Sequence, residues 1–139
     1  MKSIFLDTNV LIDFLADRKP FAEAAAQLFN YSLKGKLRIF ISAVSYNNIY
    51  YIMRQQCSHS EAIKMLNALA EMTIMIDVSR AIINDALQSE FKDFEDAIQY
   101  YCALSVSKVD MIVTRDSKDF RKSKLPVMNP NEAIGLLRS

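Results

Sequence analysis

The sequence predicts an α/β fold, a central and mostly parallel sheet flanked by helices. Short apolar runs of strand length, Ser3 to Leu6, Leu37 to Ile41, Thr73 to Val78 and Asp110 to Thr114, recur between longer segments with helical spacing of apolar residues. Strands that alternate with helices in this way are joined by crossovers and run parallel. The chain carries only two glycines and three prolines, which favours a helix-rich fold with short connections. Its 139 residues are expected to form one domain, 1–139, with a substantial core.

Taken in order, the first strand ends at Asp7, where Asp7-Thr8-Asn9 separates Ile4-Phe5-Leu6 from Val10-Leu11-Ile12. A helix over Val10 to Ala16 follows, and the polar Asp17-Arg18-Lys19-Pro20 breaks it. Phe21, Ala25, Leu28 and Phe29 predict a second helix from Phe21 to Leu33, with Gly35 in the usual place beyond a helix end. The strand Leu37 to Ile41 closes at Ser42, and a tyrosine-rich helix is expected from Ser45 to Cys57. Ser58-His59-Ser60-Glu61 has the form of a capping box and starts a helix to about Glu71. Thr73 to Val78 is a β-branched strand, after which Ser79 caps a helix to about Glu90. Asp93 or its neighbour starts a helix to about Val106, and Asp110 to Thr114 is the next strand. Arg115 to Lys124 reads as a polar, basic loop and Pro126 to Met128 as a short edge strand. Asn129-Pro130-Asn131-Glu132 starts the last helix, with a cap, a first-turn proline and a glutamate at the third position.

A formal net charge of +1 gives no bulk attraction for polyanions, so any basic patch is local. No apolar stretch approaches the length of a membrane span. The opening Met-Lys-Ser-Ile-Phe-Leu-Asp turns acidic too soon for a signal peptide. Cys57 and Cys102 stand alone and are expected as reduced thiols, and His59 has no neighbouring Cys or His with which to bind zinc. These features lead to the expectation of a cytoplasmic protein without a membrane segment.

Asp7 carries the chemical question. A carboxylate between two apolar runs at the end of a strand needs something to satisfy it. It either caps the next helix or faces a ligand, since open α/β sheets bind ligands at the carboxyl ends of their strands. Further acids stand at comparable places, in Asp93-Phe94-Glu95-Asp96-Ala97 and in Thr114-Arg115-Asp116-Ser117-Lys118-Asp119-Phe120. Read for structure alone, Asp93 is an N-cap, Glu95 and Asp96 complement the helix dipole, and Asp116 and Asp119 pair with Arg115, Lys118 and Arg121.

The segments "FLDTNVLIDFL", "DFEDA" and "TRDSKDF", in this order, resemble a PIN domain, in particular the VapC-like metal-dependent ribonuclease toxins. The resemblance runs from Ile4 to the last helix. It implies a small α/β fold and an endoribonuclease that uses Mg2+ or Mn2+ on RNA. It also implies the toxin half of a toxin–antitoxin pair, with an antitoxin protein as partner, and a homodimer. Asp7 and Asp96 match the family's acids and are the expected metal ligands and catalytic carboxylates. Asp116 or Asp119 supplies the third, and both fit the family pattern. Thr8, Asn9, Ser42 and Thr114 match positions that support the site.

One position departs from the pattern. The family's glutamate on the helix after the second strand falls on Asn48, with Asn47 beside it. An amide oxygen can bind a hard cation but removes no proton and neutralises no charge, so weaker metal binding is expected. A catalytically weakened RNA- or protein-binding module is the alternative reading. The basic residues Arg115, Lys118, Arg121, Lys122 and Lys124, with Arg18 and Lys19, are candidates for holding phosphates beside the acids. Tyr46, Tyr50, Tyr51, Tyr100 and Tyr101 either stack on bases or, as their helical spacing favours, pack in the core or a dimer interface.

Overall fold

Alternation along the strands divides the core in two. The computed structural model describes residues 1–138. Its strands are β1 (Lys2–Leu6), β2 (Leu37–Ser42), β3 (Ile74–Ile76), β4 (Met111–Val113) and β5 (Val127–Met128). They form one sheet in the order β3-β2-β1-β4-β5, with every pair parallel. Successive side chains of a strand point to opposite faces. Ile4 and Leu6 of β1, Ile39 and Ile41 of β2, and Met111 and Val113 of β4 therefore share one face. That face packs against α1 (Thr8–Leu15), α2 (Ala22–Leu33), α3 (Ala43–Met53), α4 (His59–Met72) and α7 (Pro130–Arg138). Phe5, Phe40 and Ile112 lie on the other face, under α5 (Arg80–Leu87), α6 (Phe94–Leu104) and a 3-10 turn at Ser117–Phe120. Helices on both faces leave the three central strands almost wholly apolar, as a buried parallel sheet requires.

The expected elements are present, with shifted ends. The helix expected from Ser45 starts at Ala43, because Ser42 itself caps it and accepts a hydrogen bond from the Val44 N–H at 3.2 Å. That helix also ends at Met53, four residues short of Cys57. The strand expected from Thr73 to Val78 is only Ile74–Ile76, an edge strand whose first two side chains are exposed. The helix after Ser79 stops at Leu87 rather than near Glu90, where the Ser89 hydroxyl donates to the Ala86 carbonyl at 2.8 Å. The loop after β4 is not wholly polar: it folds into the 3-10 turn because Phe120 is buried in the second core. The expected capping box of Ser58 with Glu61 forms, and the expected helix start at Asn129 closes in the same reciprocal way with Glu132. Gly35 takes φ +72° beyond α2, the left-handed geometry that ends a helix most easily without a side chain. No helix among the described residues is long and apolar enough to cross a membrane.

All five strands run the same way, so their carboxyl ends share one edge. Asp7, Ser42 and Thr114 follow or close β1, β2 and β4 at that edge. The packing below it predicts a contrast within one helix. Leu28 of α2 is fully buried and Leu33 is 71% exposed. Leu28→Ala is expected to lower stability by about 3 kcal/mol through lost burial and a cavity. Leu33→Ala is expected to stay within about 0.5 kcal/mol of wild type. Urea unfolding of the two variants tests the assignment of the faces, and equal losses would contradict it.

Candidate active site

Asp7 is only 5% exposed, yet both carboxylate oxygens are used. Its Oδ1 accepts from the Thr8 N–H at 2.9 Å, which makes Asp7 the N-cap of α1. Its Oδ2 accepts from the Thr114 hydroxyl at 2.8 Å, so the end of β4 holds the carboxylate from the other side. The Asp7 N–H donates to the Val113 carbonyl at 3.0 Å. Asp7 therefore caps α1 and at the same time ties it to the end of β4. Burial outweighs these hydrogen bonds, and Glu95 and Asp116 add repulsion, so the carboxyl is pushed up to about 6.

Asp96 enters from α6. Asp93 is the N-cap of that helix, accepting from the Asp96 N–H at 2.9 Å, so the structural reading of Asp93 is correct. Asp96 is half-buried, and no side chain or backbone donor reaches its carboxylate among the described residues. Burial raises it first, then the charges of Asp7, Asp93, Asp119 and Glu95, to about 7. Asp116 and Asp119 are both exposed, before and within the 3-10 turn. Asp116 is tied to the edge through Asn9, whose Nδ2 donates to its Oδ2 at 3.1 Å and to the Thr114 hydroxyl at 3.4 Å. Asp119 acts on Asp96 by charge. Asp7 thus couples to Asp96 and to Asp116, and Asp96 couples to Asp119.

Thr8, Asn9 and Thr114 all touch this acidic edge directly or through one another, as expected. Ser42 serves instead as the cap of α3. Asn48 lies half-buried on α3, three residues after the fully buried Ser45. Two residues that the sequence did not single out lie beneath the acids. Ser45 and Thr8 bond through their hydroxyls at 2.8 Å, and the buried Gln99 amide donates to Thr8 at 2.9 Å and to Ser45 at 3.1 Å. The available signal was a lone amide at Gln99, three residues after Asp96 on an otherwise apolar helix face.

The basic loop is only partly free. Arg115 pairs with neither Asp116 nor Asp119. It grips the buried Asp13 of α1 in a fork, Nε to Oδ2 at 2.6 Å and Nη2 to Oδ1 at 3.2 Å, and its guanidinium lies 4.0 Å over the Phe21 ring. Lys122 pairs with Glu90. Lys118, Arg121 and Lys124 are exposed, as are Arg18 and Lys19. Of the tyrosines, Tyr100 is buried and packs in the second core, Tyr46 and Tyr50 lie half-buried on the first, and Tyr51 is exposed.

Among the described residues no three His, Cys, Asp or Glu side chains converge closely enough to cage an ion as they stand. Magnesium needs no such cage: it is held through one or two carboxylates and keeps several waters. The donors here suit it. They are all oxygen, two carboxyls are raised by burial and by facing other acids, and the Asn9 Oδ1 is a buried acceptor without a partner. A divalent cation relieves both the repulsion and the burial of charge.

A family model for the PIN domain matches residues 3–118. Ribonuclease VapC1 of Aquifex aeolicus (strain VF5) is 21% identical over 136 residues, covering 94% of this chain and 92% of that protein. The structure of VapBC-1 from nontypeable Haemophilus influenzae overlays with a TM-score of 0.68 at 16% identity, covering 93% of this chain and 98% of its own. A toxin–antitoxin complex from Klebsiella pneumoniae overlays with a TM-score of 0.63 at 22% identity, covering 91% and 97%. These overlays bear out the expected parallel α/β fold.

The raised carboxyls predict a pH dependence in metal-free protein. The unfolded chain releases both protons near pH 3.8, whereas the folded chain holds them to about 6 at Asp7 and about 7 at Asp96. Between these limits the folded state binds more protons, so stability falls as pH rises and levels off above about 7. Asp96→Asn removes the upper part of that fall. Urea unfolding at stepped pH in chelator gives the wild-type minus variant difference. A difference that grows in favour of wild type toward neutral pH would contradict the burial argument.

Proposed function

The chain belongs to the PIN-domain family, and from that premise we propose that it is a metal-dependent endoribonuclease, the toxin of a toxin–antitoxin pair. The observation that carries the reading is the coupling of Asp7 and Asp96. Two carboxyls from distant parts of the chain are held together at the sheet edge at a cost in charge that a cation would offset. The similarity to Ribonuclease VapC1 supports RNA as substrate, and the likeness to a toxin–antitoxin complex supports an antitoxin partner. A homodimer and a cytoplasmic location belong to the same proposal.

Asp7 and Asp96 would hold a magnesium or manganese ion, with Asp116 or Asp119 completing the acidic set. When bound, the ion supplies Lewis-acid stabilisation of the charge that builds on phosphorus and acidifies water. The chain's own residues do the rest. Thr8 and Thr114 fix both oxygens of Asp7, so the carboxylate cannot turn away from the cleft. The Asn9 amide, donating to Thr114 and to Asp116, holds the Asp116 carboxylate at the edge. The Asp96 carboxyl, with no fixed donor, is free to take the proton that water loses as it attacks phosphorus. Exposed Lys118 on the 3-10 turn and Arg121 just after it counter the substrate's charge.

Asp7→Asn and Asp96→Asn are each expected to reduce manganese-dependent RNA cleavage by at least about a hundredfold, comparable to losing one group that stabilises transition-state charge. Both keep their shape, so circular dichroism should be unchanged. Cleavage at the wild-type rate by either purified, metal-loaded variant would overturn the mechanism.

Asn48 sets a second test. It is one helical turn from Ser45, whose hydroxyl meets Thr8 beside Asp7. Asn48→Glu adds a charge near an anionic centre, so the metal-free melting temperature should fall. Manganese should then raise it by more than in wild type, because tighter binding favours the native state. Cleavage should rise in parallel if weak metal affinity limits the enzyme. A manganese titration identical to wild type would place Asn48 outside the site.

A further inference from the structure

Asp7 and Asp96 reach the acidic edge from opposite faces of the sheet. Helix α1, capped by Asp7, packs on the first core, where Ile49 and Met53 of α3 join it. Helix α6, with Asp96 in its first turn, lays Ala97, Ile98, Tyr100, Cys102 and Ala103 into the second. The sheet lies between, so apolar packing fixes each acid against its own core and not against the other acid. Among the described residues, Gln99 is the one side chain of α6 that hydrogen-bonds to α1 or α3. Its Nε2 donates to the Thr8 hydroxyl at 2.9 Å and to the Ser45 hydroxyl at 3.1 Å, and these hydroxyls bond to each other at 2.8 Å. From this crossing we propose that Gln99 is a positioning residue: it sets the spacing of Asp96 from Asp7, and with it the affinity of the acidic edge for a divalent cation. The proposal rests on the metal-dependent ribonuclease reading and adds the residue that holds the two acids in register.

Each end of the crossing lies close to an acid. Gln99 is three residues after Asp96, about one turn along the same face of α6. Thr8 follows Asp7 directly, and its N–H donates to the Asp7 Oδ1 at 2.9 Å. A slide of α6 along its axis would carry Asp96 with it and break both amide bonds at once. Ser45 makes the contact a triangle of three groups from three helices, and a triangle resists the pivoting that a lone hydrogen bond allows. The amide is not explained by packing. Gln99 is fully buried, and its Oε1 has no partner. An amide nitrogen only donates, so both hydroxyls accept from it, and neither hydroxyl returns a proton to the amide oxygen. A buried acceptor without a donor costs stability, and a methionine would fill similar space without that cost. What methionine lacks is the nitrogen that joins two hydroxyls from the other side of the sheet. A bridge that served the fold alone would cost stability when cut and leave metal binding as it was. A bridge that positions the acids would do the reverse.

The test sets Gln99→Met beside Ile98→Val, which removes buried volume at the neighbouring position of α6 and leaves the bridge intact. Manganese binding to the full chain is followed by the electron paramagnetic resonance signal of the unbound ion. Urea unfolding in chelator gives the metal-free stability of the same proteins. Gln99→Met should weaken manganese binding roughly tenfold, the loss expected when a group that orients metal ligands is removed. Its urea midpoint should stay at or above that of Ile98→Val, which should bind manganese as wild type does. Thr8→Val removes the hydroxyl but keeps the N–H that bonds Asp7. It should weaken manganese as well, and in combination with Gln99→Met the two losses should not add, because both cut one bridge. Wild-type affinity in Gln99→Met, or additive losses in the double variant, overturns the proposal. Wild-type affinity in Thr8→Val overturns it too, whether or not Gln99→Met folds. An equal loss in Ile98→Val overturns it in favour of a general loosening of α6. Wild type that binds manganese and cuts RNA while these variants match it loses only the role of Gln99. Wild type whose manganese binding depends on Gln99 but which cuts no RNA keeps that role and loses the nuclease reading. Wild type that binds no manganese loses both.

Discussion

The structure depends on a carboxylate buried where a strand becomes a helix. Asp7 is the last residue before α1 and the first beyond β1, and its oxygens reach Thr8 and Thr114. One oxygen starts the helix and the other binds the neighbouring strand end. A leucine there would bury as well but could do neither. The cost is a charge held away from water, which appears as a carboxyl raised to about 6. Stability alone does not select such a residue, since a serine or threonine would cap the helix without that charge. The raised carboxyl of Asp96 points the same way. Two acids raised by burial and by facing other acids are costly to keep for packing alone.

The fold was largely legible because its signals are local. Short β-branched runs, helical spacing, one capping box and the helix start at Asn129 depend on near neighbours, and they placed every strand and α-helix around the sheet. Errors gathered where tertiary contacts decide. β3 is half its expected length because Ile74 and Met75 lie on an open edge with no helix to cover them. The loop after β4 folds because Phe120 reaches a core built from α5, α6 and β4, which no local pattern announces. At the site, the sequence named the acids and the residues that bond them, Thr8, Asn9 and Thr114, because those lie within two positions of a candidate carboxylate. It missed Ser45 and Gln99, whose meaning comes from three helices meeting. It also misread Arg115, whose partner Asp13 lies at the far end of α1 rather than in the loop.

The layer beneath the acids explains how they keep their places without preformed ligands. Thr8, Ser45 and Gln99 belong to α1, α3 and α6, the helices that carry Asp7 at their cap, Asn48 and Asp96. The three groups are neutral, almost fully buried and bonded to one another. Such a layer holds helix ends together without adding to the charge above it. The Gln99 Oε1 is left without a partner, so the layer retains an unused acceptor. Neutral groups below and acids above give the edge a sharp change in polarity, which favours an ion at the surface of the layer rather than within it.

The second anchor of the acidic edge is the pair of Asp13 and Arg115. Thr114 and Arg115 are neighbours in sequence, yet Thr114 binds Asp7 at the first end of α1 and Arg115 binds Asp13 near its last. Helix α1 thus clamps the start of the loop at two points. A loop held only at Thr114 would swing about that bond and carry Asp116 and Asp119 with it. The fork on Asp13 removes that freedom, and the Phe21 ring over the guanidinium extends the clamp to the start of α2. Burial raises the Asp13 carboxyl even against the guanidinium, so this pair is costly to desolvate. A well-packed apolar pair would fill the space with less penalty but would not fix the direction of the chain. The geometry of Asp116 beside Asn9, and of Asp119 facing Asp96, follows from that direction. An acidic edge assembled from three segments therefore rests on one short helix whose two ends are both tied, through carboxylates, to the same loop.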